Sequence, residues 1–103
     1  MKVFLSGPIS GVEGYKKRFR EAETALKAMG HEVYSPAVLP EGMPWEAYMR
    51  ICEIMQWYCD CTYMLAGWHS SRGARLEHDR AINKLKQKVF YEDRLRGIRT
   101  WTE

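Results

Sequence analysis

One carboxylate in this chain stands where a helix should bury apolar side chains. Residues 72–85 have helical spacing, and the predicted buried stripe runs through Ala74, Ala81 and Leu85. Glu77 falls on that stripe, three residues after Ala74. A carboxylate that faces a core is costly unless it is paired or hydrogen-bonded, and such groups are enriched at functional sites. Glu77 is therefore the candidate catalytic residue; the alternative is an acid at the edge of the stripe that suits the helix dipole.

A loop after the first apolar segment could hold the ligand on which such a carboxylate acts. It is a single run: Ser6, Gly7, Pro8, Ile9, Ser10, Gly11. Glycines at a strand end let a ligand approach the backbone closely. Their spacing matches neither a dinucleotide fingerprint nor a P-loop, so a tight turn between strand and helix explains the run equally well.

A second loop lies just before the helix that carries Glu77. Its candidate ligand-binding residues are consecutive: Ser70, Ser71, Arg72, Gly73. Hydroxyl groups, a guanidinium and free N–H groups at a helix N-terminus suit a phosphate, although a serine there also serves as an ordinary N-cap. Trp68 precedes this loop and could stack on a base or a ribose at the mouth of the crevice, or pack in the core.

The cysteines do not indicate a metal site. The chain has three cysteines, and an odd number argues against a disulfide framework. They are Cys52, Cys59 and Cys61. Cys59 and Cys61 have His69 downstream, but the second spaced pair that zinc requires is missing. We therefore expect buried thiols, and neither a metal nor a cofactor.

The composition suits one small globular domain over residues 1–103. The net charge of +3, with acids and bases interleaved, is too weak to indicate a nucleic-acid partner and slightly favours small anionic ligands. No apolar run approaches the length of a membrane span, and the apolar start is too short for a signal peptide, so we expect a cytoplasmic chain. A modest core makes a homo-oligomer plausible.

Strands and helices alternate along the chain. Apolar runs predict strands at 2–6, 32–35, 62–66 and 88–91, and helical spacing predicts helices from Tyr15 to a C-cap at Gly30, from Pro44 to about Tyr58, and from Arg72. This order predicts an α/β, Rossmann/flavodoxin-like three-layer fold with a four- or five-stranded parallel sheet. Loops 7–11, 36–43 and 67–71 would then meet beyond the carboxyl ends of the strands, where ligands bind.

Several of these motifs resemble a known superfamily. The run from Phe4 to Gly11, the pair Cys59-Asp60, and Gly73 to Glu77 are similar to the nucleoside 2-deoxyribosyltransferase superfamily. The match is closest to a compact branch, common in phages and their hosts, described as a domain of unknown function (DUF4406). The resemblance covers the chain from Lys2 to about Glu92.

The resemblance implies an activity. Family members break the bond between a nucleobase and deoxyribose through a glutamate nucleophile, and Glu77 matches that glutamate. Water or a second base then takes the sugar from the covalent glycosyl-enzyme. The segments 7–11 and 70–73 match the parts that hold the sugar and any 5′-phosphate. Members are usually homodimers or larger, with a neighbouring subunit completing the pocket, and Ile98 and Trp101 could pack against such a neighbour.

Two positions depart from the family pattern. Phe4 stands where the family often has a tyrosine that bonds the nucleophile, and Cys52 stands where an aspartate handles the base or the sugar hydroxyls. Phenylalanine donates no hydrogen bond and a thiol is a poor general acid or base, so a non-catalytic protein that sequesters or senses a nucleotide is the alternative, and a vestigial pocket a third. Glu53 is not expected to substitute, and Asp60 is expected to be structural.

Overall fold

The computed structural model of the protein describes residues 1–92. Strands and helices alternate over this range as the sequence predicts. The strands are β1 (Lys2–Ser6), β2 (Glu32–Tyr34), β3 (Cys61–Met64) and β4 (Lys88–Tyr91). The helices are α1 (Tyr15–Ala28), α2 (Trp45–Trp57) and α3 (Arg72–Asp79), with short 3-10 helices at Pro36–Val38 and Trp68–Ser70 and a π-helical segment at Arg80–Lys84.

The strands of the described range form one parallel sheet in the order β2-β1-β3-β4. The predicted α/β, Rossmann/flavodoxin-like class with four parallel strands is therefore confirmed. The chain leaves β1 towards β2 on one side and leaves β3 towards β4 on the other. The loops that follow β1 and β3 diverge at this point, and the crevice between diverging loops is the usual ligand position of such sheets.

The two faces of the sheet carry separate apolar cores. Val3 and Leu5 on β1 pack in one cluster with Phe19 of α1, while Phe4 packs in the other with Cys52 of α2. This division follows from the strand period of two, which sends successive side chains to opposite faces. Helices therefore cover both faces, which gives the three layers.

The ends of the elements differ from the prediction by one or two residues. β3 begins at Cys61, one residue early, and ends at Met64. Pro44 lies just before α2 at the N-cap position, and its fixed φ suits the start of a helix. Gly30 lies just past α1 at a φ of 94°, a left-handed conformation that glycine adopts without strain.

Asp60 has the structural role expected of it. Its carboxylate accepts a hydrogen bond of 2.8 Å from the Lys2 main-chain N–H, and its own N–H donates to the Lys2 carbonyl at 2.8 Å. These bonds join the starts of β1 and β3, at the sheet end opposite the crevice.

The cysteines are buried thiols, as expected: Cys52, Cys59 and Cys61 are free and buried. Within residues 1–92, no cluster of three or more His, Cys, Asp and Glu side chains is arranged to hold a metal ion. In the same range, no helix has the length and apolar character needed to cross a membrane. Ile98 and Trp101, expected to meet a neighbouring subunit, lie outside the described residues.

Candidate functional site

A cavity of about 830 Å³ opens at the carboxyl ends of β1 and β3. It is bounded by the loop after β1, the loop 36–43 that follows β2, the first two turns of α2, and the start of α3. This volume lies within the roughly 300–1,000 Å³ of small-molecule sites. The crevice predicted from the loop positions is therefore present.

Glu77 lies at the floor of this cavity. Its side chain is 5% exposed, and its Oε1 accepts a hydrogen bond of 2.6 Å from the Ser6 hydroxyl. Burial raises the pKa of Glu77 to about 7, against the lowering effects of the Ser6 hydrogen bond and the Arg80 charge. The carboxyl group is thus about half ionised near neutral pH and can act in either protonation state.

Cys52 lies beside Glu77 on the α2 side of the cavity. Burial first, then the charge of Glu77 and a hydrogen bond to it, raise the pKa of the Cys52 thiol. The thiol therefore stays protonated and serves as a weak donor to the carboxylate rather than as a nucleophile.

Tyr48 lies one helical turn before Cys52 and lines the same cavity. Its hydroxyl donates to the Pro36 carbonyl at 2.8 Å, and burial is the main cause that raises its pKa. Tyr48 is a neutral, aligned hydroxyl at neutral pH. In the sequence, Tyr48 has helical spacing with Cys52 and Met55, which by itself predicts an apolar stripe rather than a hydroxyl in a cavity.

Phe4 makes no polar contact with Glu77, as its side chain requires, and packs in the core with Cys52 and Cys59. The hydroxyl that bonds the carboxylate comes from Ser6, two residues further along the same face of β1. The sequence analysis grouped Ser6 with the ligand-binding loop. The strand period of two places Ser6 and Phe4 on the same face of β1, and this signal in the sequence could have identified Ser6 as the partner of Glu77.

The loop after β1 reaches the cavity through Gly7, Pro8, Ile9 and Ser10, whereas Gly11 does not line it. At Gly7 a Cβ atom would lie 2.9 Å from the Leu65 Cβ, so close packing against the residue that follows β3 requires glycine here. Gly11 has a φ of 72° with open space around it, so its glycine serves the turn.

The start of α3 supplies the opposite wall. Four consecutive residues line the cavity there: Ser70, Ser71, Arg72 and Gly73. The Ser71 hydroxyl caps the helix by accepting from the Ala74 N–H at 3.2 Å, and the Ser70 hydroxyl donates to the Gly67 carbonyl at 2.8 Å.

The Arg72 guanidinium lies 4.4 Å from the centroid of the Trp45 ring, in a cation–π contact between α3 and α2. Trp45 also lines the cavity. The sequence analysis did not name Trp45. Its position directly after Pro44, at the start of the helix that faces the crevice, was an available signal.

The expected position of Trp68 at the mouth of the crevice is corrected by the structure. Its ring stacks on His69 at 3.9 Å and on His78 at 4.2 Å between centroids, and it lines a separate depression with Tyr91. Gly67, at a φ of 89°, starts the 3-10 helix that gives the ring this direction. Trp68 is therefore not part of the cavity that contains Glu77.

One comparison with known proteins identifies a family. A family model described as "Domain of unknown function (DUF4406)" matches residues 1–91. No curated protein matches the chain significantly, and no solved structure does either.

Proposed function

The chain belongs to the DUF4406 family, and from that premise we propose that it cleaves the N-glycosidic bond of a nucleoside or nucleotide, with Glu77 as nucleophile. One observation carries the proposal: a buried carboxylate, bonded by the Ser6 hydroxyl, lies at the floor of a cavity of ligand size. The family description names no activity. Membership of the nucleoside 2-deoxyribosyltransferase superfamily is part of this proposal, and the motif resemblance supports it.

The proposed reaction has two steps. An ionised Glu77 oxygen bonds to the anomeric carbon as the carbon–nitrogen bond breaks, and the bonding electron pair leaves with the base, which takes a proton from solvent. Water, or a second base, then bonds to the anomeric carbon while the bond to Glu77 breaks. The acceptor gives up its proton and the carboxylate is regenerated, so the protein ends unchanged.

The other groups bind and orient. The Ser6 hydroxyl holds Oε1 in place and stabilises the ionised form of Glu77. Ser71, Arg72 and the first N–H groups of α3 suit ribose hydroxyls or a 5′-phosphate at the far end of the cavity. The Trp45 indole offers an apolar surface to a flat base.

The location of the protein, its oligomeric state and its ligand are part of the same proposal. We expect a phage-type cytoplasmic protein that works as a homodimer or a larger homo-oligomer, with the neighbouring subunit closing the open side of the cavity. Its partner is a small nucleoside or nucleotide rather than a nucleic acid.

Cys52 favours a second candidate function. Because its raised pKa keeps the thiol neutral, the chain lacks an efficient acid or base at this position of the cavity. A protein that holds a nucleotide without turnover, to sequester or sense it, fits the same geometry.

Base release separates the two functions. The protein is incubated with deoxynucleosides, their 5′-monophosphates and NAD, and free base is quantified by chromatography. An enzyme releases base, and Glu77→Gln abolishes the release while Glu21→Gln on the exposed surface of α1 retains it. A rate that rises with pH through about 7 supports an ionised nucleophile. Tight binding with intact ligand recovered after denaturation supports sequestration, and no binding of any of these compounds contradicts both.

A covalent adduct provides a direct test of the nucleophile. A 2′-fluoro-2′-deoxynucleoside destabilises the oxocarbenium-like transition state and slows turnover of the glycosyl-enzyme. Mass spectrometry of the digested protein should then find the fluorosugar on the peptide that contains Glu77. An adduct on a different peptide would contradict the assignment.

A further inference from the structure

Gln56 is a fully buried polar side chain on α2, one helical turn after Cys52. Its Nε2 donates to the Glu77 carbonyl at 2.8 Å and to the Thr62 hydroxyl at 3.0 Å, while its Oε1 accepts from Arg80 Nη1 at 3.0 Å. Both amide protons and the amide oxygen therefore have partners, as a buried amide requires.

The partners determine which way the amide points. A main-chain carbonyl accepts and a guanidinium donates, so the nitrogen must face Glu77 and the oxygen must face Arg80. If the amide were reversed, its oxygen would face the Glu77 carbonyl oxygen and its nitrogen would face the Arg80 guanidinium. Neither pair could form a hydrogen bond.

Gln56 contacts α3 where the helix changes its form. α3 ends at Asp79 and continues as the π-helical segment Arg80–Lys84, in which the Leu85 N–H donates to the Arg80 carbonyl at 2.9 Å. Helices change form where a side chain competes for the main-chain ladder, and π segments are frequent at functional sites. The Gln56 amide touches the Glu77 carbonyl on one side of this change and the Arg80 guanidinium on the other.

Gln87 is a partly buried amide in the same network, and its hydrogen bonds reach neither Glu77 nor Arg80. It accepts from the Thr62 hydroxyl at 2.8 Å and donates to the Gln56 and Cys59 carbonyls at 3.0 and 2.8 Å. Gln87 therefore donates two hydrogen bonds and accepts one, as Gln56 does, but its partners lie in α2, in β3 and in the turn between them rather than on α3.

We propose that Gln56 is a positioning residue for Glu77: its amide fixes the main chain of Glu77 and holds the Arg80 guanidinium where its charge acts on the carboxyl. The other groups that act on Glu77 come from two elements. Ser6 reaches it from β1, and Cys52 and Tyr48 from α2. Glu53, also on α2, has its carboxylate 3.9 Å from Arg80 Nε and holds the outer side of the same guanidinium. The charge of Arg80 lowers the pKa of Glu77, so its displacement raises that pKa.

The test compares the Glu77 titration in Gln56→Leu and Gln87→Leu by ¹³C NMR of side-chain carboxyl groups, with Glu77→Gln identifying the signal. Gln56→Leu should raise the Glu77 pKa by roughly one unit, whereas Gln87→Leu should leave it in place. In an Arg80→Met background, Gln56→Leu should cause no further rise, because the effect passes through Arg80. Equal shifts in the two single variants, or no shift in either, would overturn the proposal.

Only the effect of Gln56 on the kinetics depends on the proposed function; its effect on the Glu77 titration does not. The pH profile of base release in Gln56→Leu should move to higher pH by the shift that the titration measures. A protein that releases no base contradicts the proposed function, while the titration comparison still decides the role of Gln56. Gln56→Met, with an unbranched side chain of similar length, replaces Gln56→Leu where the leucine variant does not fold.

Discussion

The buried carboxyl group of Glu77 should make the protein less stable as pH rises. Burial raises its pKa from 4.5 to about 7, so the folded protein binds this proton more tightly than the unfolded chain does. The contribution of Glu77 to stability is most favourable below about pH 4.5, where its carboxyl group is protonated in both the folded and the unfolded state. Stability then declines as pH rises through the window from 4.5 to about 7, and stays constant above it.

The size of this decline follows from the width of the window. Two and a half units between 4.5 and about 7 correspond to about 3 kcal/mol at 1.36 kcal/mol per unit. Solvent does not reduce this figure greatly, because the side chain is 5% exposed. About 3 kcal/mol is a large part of the roughly 5–15 kcal/mol that holds an ordinary domain folded.

Glu77→Gln tests the decline directly. Glutamine keeps the shape of the side chain and an acceptor for the Ser6 hydroxyl, but it does not titrate. The unfolding free energy of the variant should equal that of the original protein near pH 4.5 and exceed it by about 3 kcal/mol at pH 8. The measurement is urea unfolding followed by circular dichroism at half-unit steps from pH 4.5 to 8.

The difference between the two proteins, rather than either curve alone, decides the outcome. Other titrating groups are common to both proteins and cancel in the difference. Glu21→Gln, on the exposed surface of α1, is the matched control and should show a difference near zero throughout. A Glu77→Gln difference that is independent of pH, or one that favours the original protein as pH rises, would refute the reasoning.

Three further substitutions have expected outcomes. Ser6→Ala should raise the Glu77 pKa by roughly 1–2 units in an NMR titration, because a hydrogen bond to a charged group contributes about 1.5–3 kcal/mol. Gly7→Ala should lower the unfolding free energy by about 1–3 kcal/mol in urea, because the new Cβ would lie 2.9 Å from the Leu65 Cβ. Arg72→Met should weaken binding of a deoxynucleoside 5′-monophosphate about tenfold or more in calorimetry, with little effect on the deoxynucleoside.

Each of these has its own control. Ser6→Thr retains the hydroxyl and should leave the titration near its original range; a shift as large as that of alanine would point to packing instead. Gly73→Ala places a Cβ 3.1 Å from the flexible Met49 sulfur and should be milder than Gly7→Ala. If Arg72→Met lost the same affinity for the phosphorylated and the free ligand, the Arg72 side chain would not be a phosphate-binding group.

The sequence predicts the sheet well because its two central strands, β1 and β3, are buried on both faces. Such strands appear as short continuous apolar runs, and the bounds of β1 and β4 agree with the prediction. β3 starts at Cys61, one residue before the predicted start. Cys61 is fully buried, but its residue type alone does not distinguish a strand from the preceding turn. The cavity was predictable for the same reason, since loops that follow parallel strands meet at one edge.

Side-chain direction within the loops was not predictable. Trp68 follows a glycine with a φ of 89° and stacks on His78, which an amino-acid pattern does not specify. The contacts of Gln56 join residues 21 and 24 positions apart, and neither contact leaves a period in the sequence. The sequence places Ser6 with the ligand-binding loop, and only the pleat of β1 aims its hydroxyl at Glu77.

A residue chosen for stability alone would not occupy position 77. Its neighbours on the buried stripe, Ala74 and Ala81, are apolar and buried, and they show what the helix accepts there. Glu77 instead carries a carboxyl group that costs stability at neutral pH, and Ser6, Cys52 and Arg80 reduce that cost without removing it. Full neutralisation by a direct ion pair would hold the carboxylate permanently ionised and occupied. The arrangement leaves it close to its midpoint of ionisation and open to the cavity, so that the ionised form needed by the proposed nucleophile is present in about half of the molecules near neutral pH.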